Sequence, residues 1–419
     1  MTIPSGAKAS GPIPPEFAGG LPDLDAWIAE AGGTPLYVYD FAVIAARIAR
    51  LRAALPGVDV HYAVKANPFA PLLKAIAPLV DGMDVASAGE LAKVTAVMTP
   101  QSVSFAGPGK RDFELEAAIQ AGATINLESE GEADRALVLA GRAGKRPRLA
   151  VRVNPDFELR GSGMRMGGRA SPFGIDAARV PALVKRLIAS GADWRGFHIF
   201  PGSQSLDSAA ISESQAATIL LAARLAEGVD SPPPLVNLGG GFGIPYFAGD
   251  VAVDVEGIGR SLAFQLDRRP PILAATRFAV ELGRWLVGEA GIYLARVVDR
   301  KVSGGETFLV VDGGLNHHLA ATGNFGTVVR RNYPVAVAGR MGAAPEEIAS
   351  VVGPLCTPLD RLADRVALPR AEVGDVIAVF ASGAYGATAS PSGFLGHPAA
   401  RELLTNATLG DDARKALIA

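Results

Sequence analysis

At 419 residues the chain exceeds what one hydrophobic core usually serves and suits a large barrel with a smaller partner domain. Its 40 Lys and Arg against 42 Asp and Glu leave a formal charge of -2, so no basic footprint for nucleic acid or an anionic membrane is present, and small molecules are the expected partners. The single cysteine, Cys356, excludes an intrachain disulfide framework and suits a reducing, cytoplasmic compartment.

The stretch through Gly20 has neither an apolar signal core nor an Arg-rich amphipathic pattern, and these first twenty or so residues, rich in Gly and Pro, read as a loose arm within an N-terminal arm of residues 1–33. No apolar run is long enough to span a bilayer. Residues 34–40, with the run Leu36 to Tyr39, are expected to add a strand to a β-domain formed later in the chain. From Val58 onward, eight short β-prone runs alternate with helix-like stretches: Val58 to Val64, Met83 to Ala86, Val103 to Ala106, Thr124 to Leu127, Leu149 to Val153, Gly196 to Phe200, Leu235 to Leu238 and Phe278 to Glu281. That alternation predicts an α/β fold, a (β/α)8 barrel over residues 34–285. After residue 285 the runs Gly291 to Val298, Thr307 to Val311, Val335 to Ala338, Ser350 to Val352 and Val376 to Ala381 recur with little helix between them, which predicts an antiparallel β-domain over 286–419.

Active sites of such barrels lie at the C-terminal ends of the strands. Run one ends in Tyr62-Ala63-Val64-Lys65-Ala66-Asn67 and delivers a lysine to the mouth, where desolvation favours a neutral, imine-forming amine. Run seven ends in Asn237-Leu238-Gly239-Gly240-Gly241-Phe242-Gly243, whose glycines let backbone N–H groups approach a phosphate. Run eight supplies Glu281-Leu282-Gly283-Arg284, a carboxylate for a protonated ring nitrogen and a guanidinium for a phosphate or carboxylate. Singly these read as a solvated lysine, a tight turn and a rim ion pair. Together they describe a pyridoxal 5'-phosphate (PLP) site, and the reading calls for no metal.

From Thr34 to Leu404 the chain resembles the fold-type III PLP decarboxylases, the family of diaminopimelate, ornithine and arginine decarboxylases, which share an alanine racemase-like fold. His61 to Asn67 is similar to the cofactor-lysine motif, Asp84 to Leu91 to the segment after it, and Val151-Arg152-Val153-Asn154-Pro155 to the strand whose arginine lies by the cofactor. Gly239 to Gly243 resembles the phosphate loop, in which Gly239, Gly240 and Gly241 are cofactor contacts; Glu281, Gly283 and Arg284 resemble the acid and arginine turn; Tyr385 in Gly383-Ala384-Tyr385-Gly386 resembles the tyrosine that reaches the phosphate region. Gly353-Pro354-Leu355-Cys356 resembles the cysteine motif that arrives from a second subunit, which implies a head-to-tail homodimer with shared sites. The resemblance implies an amino-acid decarboxylase with Lys65 as the Schiff-base lysine and Cys356 as proton donor.

Three positions depart from the pattern. Phe200 stands where the family usually stacks a histidine on the cofactor, two residues after His198, while Ser203 keeps its phosphate-binding place. Thr357 replaces the acid that receives a distal amine, and Ala320 stands where diaminopimelate decarboxylases place an arginine for the distal carboxylate. Candidate substrate contacts are His198, Arg284, Arg330, Asp360 and Tyr385. Gly161 to Gly168, His198 to Gln204 and Ala387 to Pro391 resemble a narrower subgroup, the decarboxylases associated with exosortase A systems, which implies a substrate either free or carried on an acyl carrier protein. Diaminopimelate decarboxylation proper, racemisation on the same barrel and a non-catalytic PLP-binding regulator are the alternatives.

Overall fold

The computed structural model describes residues 6–158, 164–165, 170–325 and 330–407, and most of the Gly161 to Gly168 motif lies outside them. The chain divides into two compact units: a barrel unit from residues 45–243 and 252–283, and a sheet unit from residues up to 44, 244–251 and from 284 onward. Among the described residues no helix is long and apolar enough to cross a membrane.

The strands, in chain order, begin with β1 (Leu36–Asp40), β2 (Asp59–Ala63), β3 (Gly82–Val85), β4 (Val103–Phe105), β5 (Thr124–Leu127) and β6 (Arg148–Asn154). Two short pieces follow, β7 (Met164–Arg165) and β8 (Ile175–Asp176), then β9 (Asp193–Ile199), the short β10 (Gly202–Ser203), β11 (Leu235–Asn237) and β12 (Arg277–Leu282). β2 to β6, β9, β11 and β12 are parallel neighbours in the order β5-β4-β3-β2-β12-β11-β9-β6, and a β5–β6 pairing closes the ring. These are the eight runs expected from sequence. The helices between them are cut and capped by local chemistry: Ser87 and Ser129 accept the backbone N–H of Glu90 and Glu132 at the starts of Ala88–Thr95 and Glu130–Ala143, and left-handed Gly122 and Gly144 end Asp112–Ala121 and Glu130–Ala143.

The sheet unit holds β13 (Gly291–Ser303), β14 (Glu306–Val311), β15 (Val335–Val337), β16 (Glu347–Val352), β17 (Arg361–Leu368), β18 (Val376–Val379) and β19 (Arg401–Thr405). Their order is β15-β18-β13-β14-β16-β17, with β1 paired to β13 and β19. Most pairings are antiparallel, as expected, but β14–β16 and β1–β19 are parallel. β17 and β19 gave no strand signal in sequence, because charged residues interrupt their apolar pattern. In β17 the buried Asp364 carboxylate accepts from Arg361 and Lys8, and its backbone N–H donates to Asn332 Oδ1. The loose-arm reading of the first twenty or so residues is corrected from Gly6 on. Lys8 N–H donates to the Arg365 carbonyl, Ser10 Oγ to the Tyr333 carbonyl, and Leu24–Ala31 is a helix. Strand pairing and buried Phe17 and Leu21 hold a segment that composition alone marked as free.

A bulge at the start of β9 shapes the barrel. Leu149 pairs with Trp194 but Ala150 with Gly196, so Arg195 is the extra residue. Gly196 has φ of +107°, and a Cβ there would lie 1.9 Å from the Leu235 carbonyl oxygen of β11. Gly196→Ala should therefore destabilise the protein by at least the roughly 1–3 kcal/mol of such backbone strain. Thermal unfolding reads it directly, and an unchanged Tm would contradict this account of the bulge.

Candidate active site

Lys65 leaves β2 in the tight turn Val64–Ala66, whose flanking residues are buried and turn the lysine outward. Its Nζ stands 3.5 Å from Glu281 Oε1 and 5.2 Å from the ring centroid of Phe200. Strand ends β2, β9 and β12 thus bring together three residues that sequence separates by up to 216 positions. The close fit needs Gly283, since a Cβ there would come within 2.8 Å of the Ala66 Cβ. The Lys65 side chain is 45% exposed, so the desolvation expected of a barrel-mouth lysine is incomplete.

Glu281 is buried, and its Oε2 lies 2.9 Å from His198 Nε2. Burial by itself pushes the carboxyl up, but the Lys65 ammonium, the His198 bond and the Arg152 charge outweigh it and hold Glu281 well below the usual carboxylate range. His198, a candidate for substrate contact, is 3% exposed and commits one ring nitrogen to Glu281, so strand alternation turns it into the barrel. Phe200 follows β9, its ring tilted 47° to His198 at 6.3 Å.

The glycine loop after β11 is locked to its neighbours by backbone. A Cβ on Gly240 would lie 2.0 Å from the Glu281 carbonyl oxygen, and one on Gly239 would lie 2.8 Å from that of Ile199. Gly239 and Gly241 have φ of +69° and +85°. Ser205 N–H donates to the Gly241 carbonyl and Gly243 N–H to the Ser205 carbonyl, both at 2.8 Å, so the segment carrying Ser203 is laced to the glycine loop. Ser203 itself lies in β10, paired with Met164. This doubled loop is a concave run of backbone of the kind that cradles phosphate.

Asp84 and Arg152 sit deeper in the strands. Asp84 Oδ2 is 3.3 Å from His61 Nδ1, a partner that sequence reading passed over. Burial lowers the His61 pKa, but Asp84 more than restores it and leaves the imidazole above its ordinary value. Arg152 donates to Glu128 Oε1 at 2.9 Å and lies 5.1 Å from the Phe173 ring. Glu128, which also accepts the Gly107 and Gly174 N–H groups, was likewise missed, although it directly follows the β5 run and the strand-end test would have reached it.

In the sheet unit, Arg284 lies over the rings of Tyr385 at 4.9 Å and Tyr246 at 5.8 Å. Tyr385 is held at φ of +55°, a left-handed conformation that a bulky side chain adopts only when its surroundings impose it. Cys356 is exposed. Asp360, a candidate for substrate contact, anchors the backbone around it. It is 3% exposed, and its oxygens accept the N–H groups of Leu315 at 2.6 Å and Leu355 at 2.8 Å. Gly314 and Gly353 pack against it, where a Cβ would lie 2.0 and 2.3 Å from its oxygens. Arg330 donates to the Leu359 carbonyl at 3.2 Å, and Arg331 lies over the Phe247 ring and 3.8 Å from Asp250. Ala320 is buried and Thr357 half-buried.

Comparison with known proteins places this arrangement. Residues 41–288 match the family described as pyridoxal-dependent decarboxylase, pyridoxal binding domain. The chain is 37% identical over 379 residues to the L-glutamyl-[BtrI acyl-carrier protein] decarboxylase of Niallia circulans, covering 88% of each. It is 33% identical over 387 residues to the diaminopimelate decarboxylase of Archaeoglobus fulgidus, covering 91% of this chain and 90% of that one. The crystal structure of Helicobacter pylori diaminopimelate decarboxylase complexed with L-lysine superposes with a TM-score of 0.77 at 27% identity, over 88% of this chain and 91% of the other. The barrel unit's residues fit the cofactor: an exposed amine, a stacking ring beside it, an ionised carboxylate and a glycine cradle whose space a Cβ would fill. A closed eight-stranded barrel with this strand-end chemistry, and relatives matched along nearly the whole chain, establish that the protein belongs to the fold-type III PLP-dependent decarboxylases.

Proposed function

We propose that Lys65 holds PLP as a Schiff base in this carboxy-lyase, and that the substrate is an amino-acid-derived group presented on an acyl carrier protein. The observation that carries the first half is the convergence of Lys65, Glu281 and Phe200 at three strand ends. When bound, the cofactor supplies an electron sink for the pair released as the substrate's carboxylate leaves as CO2. The chain's residues do the rest. Glu281, held ionised, presents its charge to the ring nitrogen; Phe200 offers an apolar face for stacking but neither bonds nor titrates; the doubled loop of Gly239 to Gly241 and Ser203 receives the phosphate. Arg284, positioned by Tyr385 and Tyr246, adds a cation for phosphate or substrate carboxylate. Cys356 Sγ gives up a proton to the carbon that lost CO2, taking one back from solvent, so each turnover consumes one proton. Its exposure, with that of Leu359 and Phe325, supports delivery to a second subunit in a homodimer. We place the enzyme in the cytoplasm, where an exposed lone thiol stays reduced.

The carrier-bound substrate is supported by the Niallia relative's named activity and by Thr357 and Ala320, which provide no charge for a distal amine or carboxylate. In a buried site the lost counter-charge is worth about 2–5 kcal/mol against a free dibasic or diaminodicarboxylic substrate. Diaminopimelate itself is the second reading, favoured by the Archaeoglobus relative. A screen of free amino acids, diaminopimelate and aminoacyl carrier proteins for CO2 release, with mass spectrometry of the product, decides between them. Faster turnover of free diaminopimelate than of any carrier-bound group would overturn the proposal.

Lys65→Ala should abolish both the visible absorbance of the bound cofactor and CO2 release, and persistence of the absorbance would remove Lys65 from its role. Cys356→Ala should leave absorbance and Tm unchanged while kcat falls roughly 10²-fold or more, the usual worth of a positioned acid. A full-rate variant would reassign the proton donor. Because Glu281 titrates lower in the folded than in the unfolded chain, its ionisation stabilises the fold at neutral pH, and that contribution is lost as pH falls through the folded value. The stability gap between wild type and Glu281→Gln, read by denaturant unfolding, should accordingly hold from pH 7 down to the ordinary glutamate value of 4.5 and narrow below it, and a gap that widens there would refute the sign.

A further inference from the structure

One face of the sheet beside Cys356 carries a groove that the proposed chemistry does not use. Its cavity measures about 410 Å³, within the roughly 300–1,000 Å³ of small-molecule clefts. Lys301 and Ser303 reach it from β13, and Phe308 and Val310 from β14, each pair two residues apart as strand alternation requires of one sheet face. Its wall is the loop that presents Cys356, whose neighbours Leu355 and Thr357 both line the cavity.

Two cations converge on Phe308. Lys301 stands directly opposite it in the β13–β14 ladder, and the Arg361 guanidinium lies 5.7 Å from the centroid of the same ring. Lys301 is exposed, and among the described residues no carboxylate pairs with it. Arg361 pairs with Asp364, but Lys8 pairs with that carboxylate too, so one acid serves two cations. Asp360 is the one acid in the lining, and both its oxygens already accept backbone N–H groups. Lys8, Lys301 and Arg361 against these two carboxylates leave a positive surplus, and Arg330, on the Leu359 carbonyl, adds to it. The groove thus offers apolar walls, a pair of cations and an edge that bears a thiol.

We infer that this groove receives the prosthetic arm of the carrier, with Lys301 and Arg361 on its phosphate and its cargo end beside Cys356. An acyl carrier protein holds its cargo as a thioester on a pantetheine chain, which a phosphodiester joins to the protein. The arm is therefore a slender chain of amides and methyl groups with one fixed anion. Arg361 can fork onto phosphate oxygens while Lys301 meets them as a point charge. The carbons of the chain lie against Phe308, Val310 and Leu355, and no bond is made or broken in the groove. This role rests on the carrier-bound substrate proposed for the enzyme and deepens it: recognition comes from the arm, where Thr357 and Ala320 supply no charge for a free substrate's distal group.

Isothermal titration calorimetry of the full-length, PLP-loaded enzyme with phosphopantetheine, pantetheine and inorganic phosphate tests the assignment. Wild type should bind phosphopantetheine about tenfold tighter than pantetheine, the worth of a phosphate met by two cations, and tighter than phosphate alone. Lys301→Gln, at an exposed position, should cut that preference to roughly threefold or less. Lys185→Gln, an exposed change on the barrel unit, should leave it intact. Pantetheine bound as tightly as phosphopantetheine overturns the cation pair, and phosphate bound as tightly leaves a bare anion site and overturns the arm. A preference that survives Lys301→Gln, or falls equally in Lys185→Gln, overturns the groove. Failure of the carrier reading would register separately, as free diaminopimelate outpacing every carrier-bound group in CO2 release whatever the titrations give.

Discussion

Everything in the barrel unit depends on keeping the Glu281 carboxylate ionised in a place where water does not reach it. An isolated buried carboxylate protonates rather than pay its desolvation. Here Lys65 from β2 and His198 from β9 meet it from either side, and Arg152 adds charge from β6. The three strand ends are therefore bound to one another electrically as well as by their ladders.

Close backbone approach is the second requirement. Gly240 against Glu281, Gly239 against Ile199 and Gly283 against Ala66 each leave less than 3 Å for a side chain, so the glycines are the condition for strand ends to converge on one small volume. The sheet unit repeats the device around a carboxylate. Gly314 and Gly353 close on Asp360, which bonds the N–H groups of Leu315 and Leu355 and so fixes the loop that presents Cys356. A candidate for substrate contact thus also anchors the segment that carries the candidate proton donor. Its two oxygens serve backbone donors that burial would otherwise leave unmet.

Family membership and substrate rest on different parts of the chain. The amine, the acid and the glycine loop proposed for cofactor chemistry all lie in the barrel unit. Substrate choice needs charges placed for a distal group, and here Thr357 and Ala320 withdraw the ones that diaminopimelate and ornithine require. Phe200 sets the surroundings of the lysine, its ring centroid 5.2 Å from Lys65 Nζ.

The sequence by itself determined the eight parallel strands and most helices between them, and it singled out Lys65, the glycine loop, Glu281 and Cys356 as candidates. Alternating strand and helix signals, and the rule that barrel chemistry sits at strand ends, are both local and readable along the chain. Strands β17 and β19 were not legible, because charges such as Arg361 and Asp364 break their apolar pattern and are satisfied only by segments far away, Lys8 among them. The anchoring of the N-terminal stretch and the two parallel pairings in the sheet were invisible for the same reason. Tertiary structure alone decided that His198 serves Glu281, that Asp360 serves the backbone, and that His61 and Glu128 belong to the buried polar network. A polar side chain's role is fixed by the partner that satisfies it once water is gone, and that partner is chosen by the fold.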